Sequence, residues 1–80
     1  MSYKKHTKIN KTFGINLRRF REERGLTQDD IAETMDTTKA SISKYENGHT
    51  TTTLQFVYDL AEKYGMKPED FVKEKEGEEK

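Results

Sequence analysis

The sequence predicts an all-α fold, a compact bundle of five short helices whose second and third members are joined by a tight turn. Three observations predict it. Apolar residues recur at helical spacings, most extensively at Leu54, Val57, Leu60, Ala61 and Tyr64. Cap and stop residues punctuate the chain at short intervals, as at Gly25-Leu26-Thr27 and Asn47-Gly48. No segment shows the period-two alternation of a strand.

Eighty residues make one small domain. Such a chain buries only about 60% of the surface its unfolded form exposes, so stability is expected to be marginal. A hydrophobic fraction of 30% against 38% charged residues would suit a disordered chain if the apolar positions were scattered, and their periodicity shows that they are not. Three regions are expected: a flexible basic arm over 1–11, a folded domain over 12–72 and a charged C-terminal tail over 73–80.

The first packing face is Phe13, Leu17 and Phe20, which predicts helix 1 from about Thr12 to Arg24, with Gly25 supplying a left-handed stop and Leu26 folding back onto it. Thr27, with Asp30 three residues on, gives a capping-box-like start to helix 2, where Asp29 and Asp30 meet the positive end of the helix dipole. Ile31, Ala32 and Met35 form its narrow apolar stripe, suited to a close helix crossing. Asp36 must then turn the chain, and Thr38 caps helix 3, expected over about Lys39 to Glu46. Only Ile42 and Tyr45 are clearly apolar there, while the outward face carries Lys39, Ala40, Ser43 and Lys44 and no acid. Slim side chains, donors and the absence of a repelling carboxylate are what a helix entering a DNA groove needs.

Asn47-Gly48 closes helix 3, and His49 with the run Thr50 to Thr53 forms a polar loop whose last residue can cap helix 4. The longest apolar stripe, Leu54 to Tyr64, defines helix 4, which Gly65 ends. Phe56 points away from that stripe. Pro68, at a first helical position, begins a short helix 5 with Glu69, Asp70, Phe71 and Val72, and from Lys73 the charged run KEKEGEEK is expected to fray.

Net charge is zero, yet its distribution is uneven. Residues 1–24 hold eight basic side chains against two acids, a balance of +6, whereas 25–53 and 54–80 each carry −3. A basic end on an acidic body suits an oriented anion-binding surface. Without cysteine there is no disulfide framework or thiolate metal site, and with no apolar leader or run near the ~20 residues of a membrane span the expected location is the cytoplasm. His6 and His49 fall in the arm and a loop, no nucleophile–base set or metal cluster converges, and no enzyme, metal or cofactor is expected.

Gly14, Leu17, Arg18 and Arg21, then Gly25-Leu26-Thr27-Gln28, Ile31-Ala32, Ser41-Ile42-Ser43, Glu46-Asn47-Gly48, Leu54, Leu60-Ala61, Gly65 and Phe71 occur together in register. In this pattern the chain resembles the Cro/cI-type helix-turn-helix family, also called the XRE family, over about Phe13 to Val72. The resemblance implies a lambda-repressor-like DNA-binding domain with helix 3 as recognition helix in the major groove and the start of helix 2 facing the phosphate backbone. It implies base-facing positions at Lys39, Ala40 and Lys44, with Thr38, Ser41 and Ser43 alongside. Gln28 would bond a phosphate or brace a recognition-helix side chain, Asn47 and His49 would meet the backbone, and Arg21 with Glu46 would form a structural ion pair. The implied function is a sequence-specific transcriptional regulator, a repressor binding an inverted repeat of double-stranded DNA as a homodimer. The alternative is a protein-interaction module on the same scaffold, an antitoxin or coactivator-like adaptor, which the neutral net charge keeps open.

The chain departs from that family at Asp36, where a turn glycine is usual, at Thr37, where an apolar residue is usual, and in the threonine run, which replaces a basic, proline-containing loop. Phe56, together with Phe71 or Val72, is the expected self-association patch, because relatives often pair through their C-terminal helices.

Overall fold

Local stop signals cut the chain into its helices. The computed structural model describes residues 3–74, with side chains from Lys8 onward. Among them are α1 (Tyr3–Glu23), α2 (Gln28–Thr34), α3 (Lys39–Glu46), α4 (Leu54–Tyr64) and α5 (Glu69–Val72), with no strand. The first four helices end in one closure, the Schellman motif, in which a left-handed residue lets the next amide reach back to a carbonyl of the last turn. Leu26 N–H reaches Arg21 O at 2.9 Å, Thr37 reaches Ala32 at 2.9 Å, His49 reaches Lys44 at 2.8 Å and Met66 reaches Ala61 at 2.8 Å. The left-handed residues are Gly25, Asp36, Gly48 and Gly65. Asp36 is the one that is not glycine, with φ 57°.

Threonine opens three of the helices. The hydroxyls of Thr27, Thr38 and Thr53 accept from the amides of Asp30, Ser41 and Phe56 at 3.0, 3.1 and 3.2 Å. At α2 the box is reciprocal, since Thr27 N–H donates to Asp30 Oδ2 at 2.8 Å. The Thr27 backbone N–H, and after it the Thr27 hydroxyl, hold the Asp30 carboxyl below its ordinary pKa.

The core is built on Phe13, Leu17 and Phe20 of α1, which meet Ile31 and Ala32, Ile42, Val57, Leu60 and Ala61, and Phe71 from the other four helices. Aromatic rings dominate its centre. Phe13 meets Tyr45 and Phe56 edge-on at 5.7 and 6.0 Å, and Phe20 meets Tyr64 and Phe71 at 5.1 and 5.3 Å. Helix α1 passes so close to the end of α3 that a Cβ on Gly14 would lie 2.6 Å from Glu46 O and closer still to Tyr45 O, so only glycine fits the crossing.

Four expectations change. Helix α1 starts at Tyr3 rather than near Thr12, so residues 3–11 are helical where a flexible arm was expected. No Gly or Pro interrupts Tyr3 to Phe13, and a helix anchored by its packed half propagates easily through such residues. Leu54, expected in the core stripe, is 74% exposed because it sits in the first turn of α4, ahead of the buried run that starts at Val57. Phe56, expected to point outward, is half-buried and stacks on Tyr45 with centroids 4.1 Å apart. Phe71 is buried to 1% exposure at the centre of the bundle. The expected fraying of the tail falls largely outside the described residues.

Asn16 closes the fold from within. It is buried, and its amide nitrogen donates to Phe71 O at 2.8 Å and Lys73 O at 2.9 Å, satisfying carbonyls at the end of α5. Nearby, Lys8 pairs with Glu74 at 3.2 Å.

Candidate nucleic-acid interface

Helix α3 has little apolar surface to hold it, so its orientation rests on its ends. Thr38 fixes the start, Gly48 fixes the stop, and Ile42, Tyr45 and Glu46 turn inward. Lys39, Ala40 and Lys44 are left exposed, with Ser41 and Ser43 half-buried at the flanks.

Glu46 is the one acid of α3, and it is removed from the exposed face. Its side chain is 2% exposed and receives a two-pronged bond from Arg21: Nε donates to Oε2 at 2.6 Å and Nη2 to Oε1 at 3.1 Å. The third prong, Nη1, donates to Leu26 O at 3.0 Å, and Gln28 Nε2 donates to Glu46 Oε1 at 3.0 Å. Residues of α1 and α2 therefore converge on one carboxylate of α3. The bond to Glu46 raises the Arg21 pKa above its ordinary value. With Glu46 turned in and neutralised, the outward face of α3 carries two lysines and no carboxylate.

The other expected site residues fall into two groups. Gln28 is half-buried with its amide nitrogen bonded to Glu46, so it braces the end of α3. Asn47 is exposed, but its amide nitrogen turns back to Ser43 O at 2.9 Å and Ser43 Oγ at 3.4 Å, which ties it to the helix it follows. Thr38 spends its lone pair on the Ser41 amide and keeps its own hydroxyl proton for donation. His49 is exposed in the loop beyond. A shallow groove of about 500 Å³ separates the starts of α2 and α3, lined by Arg21, Leu26, Thr27, Gln28, Asp29 and Lys39. Gln28 and Lys39 thus share one groove, with the carboxylate of Asp29 at its edge.

Sequence reasoning missed the support beneath the threonine loop. Thr52 N–H donates to Asn10 Oδ1 at 2.9 Å, fastening that loop to α1. Nothing local marks Asn10, because its partner is forty-two residues away.

The self-association patch also differs from expectation. Phe71 is buried and Phe56 is engaged with Tyr45, so neither offers a free surface. The exposed apolar residues on this side are Leu54, Tyr58 and Val72, which with Val57, Pro68 and Glu69 line a pocket of about 270 Å³ between α4 and α5. Among the described residues no His, Cys, Asp and Glu group could hold a metal, and no helix is long and apolar enough to cross a membrane.

A family model described as helix-turn-helix, HTH_3, matches residues 17–71, a span running from within α1 to α5. No curated protein matches the chain significantly.

Proposed function

This chain belongs to the helix-turn-helix family of Cro/cI (XRE) type, a family of DNA-binding transcriptional regulators, and from that premise we propose that it is a repressor that binds an inverted-repeat operator as a homodimer. The observation that carries the reading is the fate of Glu46. An unpaired carboxylate on a helix offered to a polyanion is repelled by the phosphates, and Arg21 and Gln28 hold this one inside.

In this reading α3 lies in the major groove. Lys39 and Lys44 donate to guanine O6 or N7 or to flanking phosphates, and Ala40 leaves room for a thymine methyl. Thr38, Ser41 and Ser43 contribute hydroxyls along the same edge. His49, and Asn47 through its exposed amide oxygen or backbone, lie where the duplex backbone would pass. Gln28 acts by positioning. Two copies pair through the exposed apolar face of Leu54, Tyr58 and Val72, which sets half-sites about one helical turn, roughly 34 Å, apart.

Selection of bound fragments from a random duplex pool, followed by a salt titration, tests the reading. The selected sites are expected to be inverted repeats, and affinity is expected to fall steeply between about 50 and about 200 mM salt. A chain that retains no DNA at low salt is not a repressor, and the exposed α4–α5 face then favours the adaptor reading.

A further inference from the structure

The first turns of α1 lie outside the family match, which begins at residue 17, yet they form the floor beneath the exit of α3. Gly14 packs on the carbonyls of Tyr45 and Glu46. One helical turn earlier, the backbone at Gly48 rests on α1: a Cβ there would lie 3.4 Å from Lys11 Cα and 3.7 Å from the Asn10 carbonyl carbon. The Asn10–Thr52 bond at 2.9 Å fastens the other side of the same loop. Asn10 and Lys11 are therefore neighbours of the turn that carries Asn47 and His49.

Several other cations of α1 are answered by acids. Lys8 pairs with Glu74 at 3.2 Å, Arg18 with Glu22 at 3.4 Å and Arg21 with Glu46 at 2.6 Å. Lys11 is exposed, and no carboxylate among the described residues pairs with it. It adds a positive charge at the end of a helix whose outward face already lacks an acid.

We propose that Lys11 is a phosphate-contacting residue of the DNA interface, held beside the exit of α3 by the packing of Gly48 and by the Asn10–Thr52 clamp. The inference rests on the DNA-binding reading and adds to it an element that the family match does not cover. Lysine suits the role as a point charge on a flexible stem, contributing affinity without sequence preference. The competing role for the same lysine is to complement the negative end of the α3 dipole, which would act on stability alone.

Fluorescence anisotropy on the full chain with a labelled random-sequence duplex separates these outcomes. Lys11→Gln is expected to weaken binding at every sequence and to reduce the slope of log affinity against log salt by about 0.9, the share of one phosphate. Lys11→Arg should keep the wild-type slope, as should Lys63→Gln on the last turn of α4. A Lys11→Gln slope equal to that of salt-sensitive wild type overturns the assignment and leaves the DNA reading intact. The same unchanged slope with a lowered thermal midpoint gives Lys11 to the α3 terminus instead. Wild-type protein that does not bind the duplex at low salt overturns both.

Discussion

Glu46 is tolerable in the interior because three groups answer it. Arg21 supplies two donors and Gln28 a third, while the remaining arm of the guanidinium holds the Leu26 carbonyl. Removing one partner of a buried pair strands the other charge, which typically costs about 3–5 kcal/mol. Arg21→Ala is therefore expected to lower unfolding free energy by about that amount in urea denaturation, a large fraction of the stability of a domain this size. Arg21→Lys should fall between the two, since it keeps the charge but loses the planar fork. A loss below about 1 kcal/mol in Arg21→Ala would mean that the pair is no more than a surface contact. Burial also pushes the Tyr45 phenol pKa up, in keeping with a ring stacked on Phe56 and edge-on to Phe13.

The helices themselves were largely legible, because their ends are written locally. Thr27, Thr38, Thr53, Gly25, Gly48 and Gly65 act on amides and carbonyls within a few residues, and each occupies the cap or stop its type suggests. Asp36 is the weak member of that set. An L-residue in the left-handed region carries a steric cost of roughly 1–2 kcal/mol, less for Asp, and glycine carries none. Asp36→Gly should raise stability by up to about 1 kcal/mol, the gain limited by the extra freedom of glycine in the unfolded chain. Thermal melts measure it, and a lowered midpoint would show that the Asp36 side chain contributes an interaction that outweighs the strain. What was not legible depends on partners far along the chain. Helical spacing alone placed Leu54 inside and Phe56 outside, but which arc of α4 is buried depends on where Phe13 and Tyr45 stand. Asn16 and Asn10 gave no signal, because their partners are the backbone at Phe71, Lys73 and Thr52.

At the scale of the molecule, burial of Phe71 and Phe56 leaves the outer face of α4 and α5 to Leu54, Tyr58 and Val72, at 74%, 58% and 44% exposure. On a chain with mean hydropathy −1.15 such a face is costly to leave wet, and pairing of two copies is the use proposed for it. Leu54→Ser with Tyr58→Ser is expected to shift sedimentation from a concentration-dependent dimer to a monomer, with the helical circular dichroism unchanged because neither side chain belongs to the core. Wild type that sediments as a monomer at high concentration would assign the face to another partner. The outward face of α3 was more legible than this half: Lys39, Ala40 and Lys44 stand exposed on it, as their spacing suggests.

The amide of Asn16 reaches across fifty-five residues to Phe71 O and fifty-seven to Lys73 O, and it donates to nothing nearer. This side chain therefore has no lasting partner until α5 has docked against α1. Phe13, Leu17 and Phe20 gain Phe71 at the same late moment. Helices of seven or eight residues hold poorly alone, so the bundle is closed only when α5 seats Phe71 against α1.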